Sequence, residues 1–170
     1  MEQEQSNNNY EFKDRIFFLI KKNKLKLIIF LIILLILTII FITKNILEKK
    51  NNNIISEKYV QAGLFLSSGE NDKSLKIFEE IIKSKNKFYS ILALNTILEK
   101  KLTEDKGKII NFFEIIEDLN IERNQKDLII FKKALYLIKN SDLNEGNALL
   151  ERLVETKSEL KIQAAEILNK

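Results

Sequence analysis

The side chains of this chain that could do chemistry are carboxylates. Glu79 and Glu80 stand side by side, and Glu114, Glu117 and Asp118 crowd a second short stretch. Acidic clusters can hold a metal ion, but di-metal sites on helices normally add histidine at helical spacing, and the chain contains no His. Its absence also removes the commonest general base and the commonest transition-metal ligand. There is no Cys, hence no disulfide and no thiolate chemistry. Ser and Thr lack a histidine partner to activate them as nucleophiles. The four glycines, Gly63, Gly69, Gly107 and Gly146, are scattered singly and build no phosphate-cradling loop. The carboxylates are therefore read as a solvated face that pairs with nearby lysines. The expectation is a protein that is not an enzyme, with no catalytic residues, no cofactor and no metal.

Contact with other molecules is the chemistry that remains, and the charge pattern limits what those can be. The formal net charge is +4. Residues 1–50 hold 9 Lys and Arg against 5 Asp and Glu, whereas residues 51–170 hold 19 of each. The basic surplus belongs to the N-terminal end alone, and the neutral remainder argues against nucleic acid as a partner. The richness in Lys, Asn and Ile follows AT-rich coding, so no single lysine is read as functional.

From Leu27 to Ile42 the chain is apolar with one interruption, Thr38. As a helix this run rises about 24 Å. Leu25 and Thr43 extend it, and Lys26 and Lys44 can snorkel to the headgroups, so residues 25–46 are expected to cross a membrane and contact its lipid. A cleaved signal would be followed by a small-residue cleavage site, whereas here Lys44-Asn45-Ile46-Leu47-Glu48 follows. A buried helix of a soluble protein is not normally free of polar residues on every face for four turns. Lys13, Arg15, Lys21, Lys22, Lys24 and Lys26 precede the run, and Lys44, Lys49, Lys50 and Lys58 follow it. That bias places residues 1–24 in the cytoplasm and the rest across the membrane. Within the first segment, residues 1–9 read as disordered. Tyr10 to Ile20 reads as an interfacial helix, with Phe12, Ile16, Leu19 and Ile20 on one side.

Residues 47–55 are expected to be a linker and residues 56–170 a helical domain, large enough for a core of its own. Its apolar period is helical throughout, with no alternating segment and no hairpin signal. The first helix runs from about Ser56 to Ser68 and stops at Gly69. The second spans about Asp72 to Ser84, and the third Lys87 to Lys101. Thr103 is expected to cap a fourth, to Leu119, and Asn124 a fifth, to Lys139. Ser141 or Asp142 caps a sixth, to Glu155, and Ser158 a last one, to Leu168. Short turns between such helices make antiparallel neighbours.

These helices repeat. Phe78-Glu79-Glu80-Ile81-Ile82 matches Leu150-Glu151-Arg152-Leu153-Val154, with Phe112-Phe113-Glu114-Ile115-Ile116 between them. The leading residues are 34 and then 38 apart, the first being the tetratricopeptide period. Small residues keep step, because Ala62 and Ala134, like Ser74 and Gly146, are 72 apart. Such residues are needed where two helix backbones approach closely, with a large apolar residue four places later to fill the next groove. Lys108 holds the small position of the middle pair and breaks the pattern. The expected architecture is all-α: a transmembrane helix, then a tetratricopeptide-like α-solenoid of three helix pairs plus a final capping helix. In such a stack the first helix of each pair lines a concave surface, here Tyr59, Gly63 and Leu66 in the first pair and Leu128, Phe131, Leu135 and Ile138 in the third. That lining could accept a segment of another protein, or simply bury against a neighbouring helix.

The layout resembles that of the ancillary SecYEG translocon subunit family, the YfgM-like tetratricopeptide proteins of Gram-negative bacteria. Three stretches carry the resemblance. Phe12-Lys13-Asp14-Arg15-Ile16-Phe17-Phe18, followed by Asn23-Lys24 and the apolar run, is similar to that family's basic-aromatic N-terminal segment. Ser56-Glu57-Lys58-Tyr59 is similar to the start of its first repeat, and Asn86-Lys87-Phe88-Tyr89-Ser90-Ile91-Leu92-Ala93 to the opening of its second. The chain lacks the family's Ala-rich composition and closes sooner than its pattern. The resemblance implies a single-pass protein of the bacterial inner membrane with a periplasmic repeat domain. Its implied partners are export channel subunits, a membrane-anchored periplasmic chaperone and translocating chains. The expected function is a non-enzymatic interaction scaffold at the protein-export translocon. A chaperone-like binder of unfolded envelope proteins and a structural or division-linked envelope protein are the alternatives.

Overall fold

A computed structural model describes residues 23–169. The N-terminal segment, with its expected interfacial helix and its resemblance motif at Phe12 to Phe18, lies outside the described residues. Among those described there are seven α-helices and no strand. They are α1 (Lys24–Ser67), α2 (Asn71–Lys83), α3 (Tyr89–Lys100), α4 (Lys106–Glu117), α5 (Arg123–Lys139), α6 (Leu143–Glu155) and α7 (Lys161–Leu168). The chain divides into two units between Asn51 and Asn52. That boundary falls within residues 47–55, where a linker was expected and where the backbone is helical instead. The stretch holds no Pro and no Gly to stop the helix that enters it.

In the first unit the apolar residues of α1 are exposed on every face, from Leu25 at 73% to Ile28 at 45%. Its best window of 18 residues has a mean hydropathy of 3.3 and is 0% buried. By length and composition this helix can cross a membrane. The two hydroxyls of its part in the first unit satisfy themselves inside the helix, as lipid would require. Thr38 Oγ1 donates to the Leu35 carbonyl at 2.7 Å and Thr43 Oγ1 to that of Ile39 at 2.8 Å.

In the second unit, Ile55 and Ala62 turn the last part of α1 inward onto a core shared with α2, α3, α4 and the start of α5. Phe78, Phe112 and Phe113 are its largest fully buried side chains. A smaller cluster of Ile130, Ala134, Leu150, Leu153 and Ala164 holds α5, α6 and α7 together. The expected close crossings are present. Ser74 Oγ donates to the Ala62 carbonyl at 2.9 Å, and both residues are fully buried. A Cβ on Gly146 would come within 2.9 Å of the Ala134 carbonyl oxygen. The two crossings thus repeat at the spacing read from the sequence. In the middle pair Lys108 reaches out instead, to Glu79 at 2.9 Å, and α3 and α4 touch over a shorter stretch than α5 and α6.

Beyond neighbour-on-neighbour packing, helices meet their next-but-one partners. Tyr59 Oη lies 3.1 Å from Thr96 Oγ1, joining α1 to α3. Lys132 Nζ donates to Asn95 Oδ1 at 2.7 Å, joining α5 to α3. The Lys108–Glu79 pair joins α4 to α2.

Helix ends differ in detail from those expected. Asp105, not Thr103, caps α4, its carboxylate accepting from Lys108 N at 2.9 Å. Thr103 accepts from Asp105 N within the preceding turn. α5 starts after Glu122, two residues before Asn124 would allow. Asp142 precedes α6 without a side-chain capping bond, its carboxylate accepting from Lys106 Nζ instead. Ser158 accepts from Leu160 N at 3.2 Å, just upstream of α7. Asn86 holds the entry to α3, its Oδ1 accepting from Phe88 N and Tyr89 N.

Several helices stop in the same way. At Gly69 (φ +76°) the Glu70 N–H reaches the Phe65 carbonyl, and the Gly69 N–H that of Leu66. This is the Schellman closure. Lys101, Ser141 and Lys157 repeat it with positive φ but carry a Cβ, which costs about 1–2 kcal/mol each. Glycine would relieve that cost, less about 0.5–1 kcal/mol for the freer unfolded chain. Ser141→Gly and Lys157→Gly are therefore each expected to stabilise the helical unit by roughly 0.5 kcal/mol. Thermal unfolding followed by circular dichroism reads this directly, and a lowered midpoint would contradict the assigned backbone strain.

Candidate functional site

Three carboxylates of the acidic clusters meet lysines from other helices. Glu80 pairs with Lys58 at 2.7 Å, Glu79 with Lys108 at 2.9 Å and Glu117 with Lys133 at 3.1 Å. The hydrogen bond from Lys58 holds the Glu80 carboxyl below its ordinary range, and the Glu79 contact raises the Lys108 ammonium. Among the described residues no three acidic side chains gather as metal ligands would.

The residues expected to line a groove separate into two kinds. Tyr59 belongs to the core. Its ring lies 5.5 Å from Phe78 and 5.8 Å from Tyr89, centroid to centroid. Phe131 and Ile138 pack half-buried on the second cluster, and Leu66 is half-buried too. Gly63, Leu128 and Leu135 are exposed, and a Cβ on Gly63 would meet nothing within 4 Å. Helical spacing brings core and surface residues into one sequence stripe, so apolar character alone could not sort them.

What the fold does form is an open cleft of about 920 Å³ between α3, α4 and α5. On α4 beside it, Lys108 stands where Ser74 and Gly146 mark the two close crossings, but it does not line the cleft. Leu98 and Ile109 supply apolar wall, and the turn after α3 brings Thr103 and Glu104 to the rim. α5 contributes Lys132, Leu135, Tyr136 and Lys139. Of the residues expected in a groove, only Leu135 lines this cleft.

Two polar groups stand out at the cleft. Burial pushes the Lys132 ammonium below the ordinary lysine range, and its hydrogen-bond partner is the neutral amide of Asn95. Tyr136 packs on Phe113 at 6.1 Å, and burial raises its phenol. Lys132 and Tyr136 are four residues apart and so share one helix face. The sequence carried a signal for them in Lys132-Lys133, a basic pair breaking the apolar stretch Leu128–Ile138. One of that pair, Lys133, is buried against Glu117; the other opens onto the cleft. Such an arrangement can bind a side chain or peptide segment, with apolar walls for affinity and a few polar groups for orientation.

No protein-family model, curated protein or solved structure matches the chain.

Proposed function

We propose that this protein is a non-enzymatic, membrane-anchored scaffold for protein–protein contacts. Its helical unit is a tetratricopeptide-like α-solenoid of three pairs and a capping helix. The repeated crossings at Ala62–Ser74 and Ala134–Gly146 support the solenoid, as do the next-but-one contacts of α1 with α3 and of α2 with α4. The observation that carries the function is one chain joining an apolar helix, exposed on every face, to a helical unit with an open, partly apolar cleft. A tether confines that cleft to partners at a membrane. The lysine bias favours a cytoplasmic N-terminus with the helical unit across the membrane, and a bacterial inner membrane with the periplasm beyond it is what the resemblance in layout implies. The likeness in layout to the ancillary translocon subunits puts export channel subunits first among candidate partners.

The test is photocrosslinking in cells from Leu135, which is exposed and faces the cleft. Capture of one or a few membrane proteins is the expected result. Replacing residues 1–46 by a cleavable signal is expected to abolish that capture. Unchanged capture would remove the role given to the tether. A smear of unrelated envelope proteins would favour a binder of unfolded chains, and no adduct at all would end the scaffold reading.

A further inference from the structure

The lysines of the helical unit that are drawn off the surface show a pattern with one exception inside the cleft. Lys58, Lys106, Lys108 and Lys133 each meet a carboxylate, from Glu80, Asp142, Glu79 and Glu117 respectively. Removing an ammonium from water is costly and is normally offset by a paired charge. Lys132 is half-buried as well, yet no ion pair holds it. Its one partner is the Asn95 amide oxygen, at 2.7 Å. Lys126 is also half-buried without an ion pair, but it lies outside the cleft. Lys132 is thus a half-buried ammonium without a carboxylate partner that opens onto a cleft large enough for a ligand.

The surroundings narrow the occupant. Asn95 orients the ammonium but cannot neutralise it. Tyr136, on the same face of α5, brings a hydroxyl with no hydrogen-bond partner among the described residues. Leu98 and Leu135 offer apolar wall. Of the acidic residues at the rim, Glu99 is already paired with Lys100 at 3.2 Å; Glu104 lines the cleft together with the two further cations Lys101 and Lys139. A free small anion would use the charge and leave the apolar wall wet. A carboxylate flanked by apolar side chains uses both.

We propose that the cleft between α3, α4 and α5 receives an acidic side chain from a partner protein's peptide segment, its carboxylate meeting Lys132 and its apolar neighbours resting on Leu98, Leu135 and Tyr136. This rests on the scaffold reading above and specifies what the scaffold selects. It also gives Lys132 a reason to be half-buried without a charge partner, since the counter-charge arrives with the ligand. A charge of this kind contributes to selectivity more than to raw affinity.

The experiment uses the full chain in lipid nanodiscs. A library of short random peptides is selected against the wild type and against Lys132→Met, Lys132→Arg, Lys132→Glu and Lys126→Met. Selected peptides are then measured beside their Gln-for-Glu and Asn-for-Asp counterparts by fluorescence anisotropy. Circular dichroism melting confirms that each variant is folded. Wild type is expected to enrich Asp or Glu beside apolar residues and to bind the acidic peptide about tenfold tighter than its amide counterpart, about 1.4 kcal/mol. Lys132→Met should lose that preference to within about twofold, and Lys132→Glu should reverse it toward basic peptides. Lys132→Arg should restore most of it, and Lys126→Met should leave it intact. Enrichment without acidic preference, an acidic preference that survives Lys132→Met, or no enrichment would each overturn the proposal. If Leu135 still captures a membrane protein in cells, the scaffold reading stands and only the acidic selectivity is lost. If that capture is absent as well, both fall.

Discussion

Replacing Gly146 by leucine lowers the stability of the helical unit by about 3 kcal/mol and its melting midpoint by roughly 10 °C. The reason is local. A Cβ at this position would sit 2.5 Å from Ile138 Cγ1 and 2.9 Å from the Ala134 carbonyl oxygen. The isoleucine can rotate, but the carbonyl belongs to the α5 backbone and moves only if α5 and α6 part. Overpacking of this kind typically costs 1–3 kcal/mol, and the remainder of a leucine side chain has no space to enter. Alanine separates the two effects. It returns about 1 kcal/mol of helix propensity while forcing the same carbonyl contact, so Gly146→Ala is expected to lose only about 1 kcal/mol. Circular dichroism melting of the full chain in detergent reads both. A leucine variant as stable as the wild type would mean that α5 and α6 do not cross as closely as described.

Phe112→Ala is expected to be the more damaging change, at about 4 kcal/mol. Phe112 is 1% exposed and stands among Phe78, Phe113 and Ile116 in the cluster that reaches from Ile55 to Ile129. Loss of the ring leaves a cavity that its close-packed neighbours can fill only in part. Against a total stability of about 5–15 kcal/mol, such a loss leaves much of the helical unit unfolded on modest warming. Phe88 makes the control. It is 63% exposed, so Phe88→Ala should change stability by no more than about 0.5 kcal/mol. Hydrogen exchange adds a sharper readout. The cluster of Ile130, Ala134, Leu150, Leu153 and Ala164 is separate from that of Phe112. In a stack where each pair contacts mainly its neighbours, Phe112→Ala should strip protection from α2 to α4 before α6 and α7. Equal loss everywhere would favour a single cooperative bundle over a solenoid.

Much of this was legible because helical periodicity and local size rules act over a few residues. The apolar run of Leu27 to Ile42 needs no tertiary information to be recognised. Neither do the stop at Gly69 or the shared offset of Ala62 and Ser74 with Ala134 and Gly146. Small residues mark close crossings since only a small side chain lets two backbones meet, and both crossings appear where the spacing placed them. The missed helix caps have a common cause. Thr103, Asn124 and Asp105 are all capable of capping, and which one does so depends on where the preceding turn delivers the chain. The helical course of residues 47–55 was missed because asparagine and lysine lower helix propensity only slightly, too little to end a helix already under way.

The binding surface was the least legible part. Tyr59, Phe131 and Leu135 look alike in a sequence stripe, yet two pack inward and one faces a cleft. The pair Lys132-Lys133 is harder still, since adjacent lysines of identical chemistry end in opposite circumstances, one beside Glu117 and one beside Asn95. The order of residues by itself determined the all-helical class, the membrane-competent helix and the two tight crossings, since each depends on neighbours within a turn or on a repeated size pattern. Only the tertiary structure decided that α3, α4 and α5 leave a cleft and that Lys132 opens onto it without a counter-charge. A cleft is made of what three helices fail to fill, and a charge is unpaired only with respect to everything that packs around it.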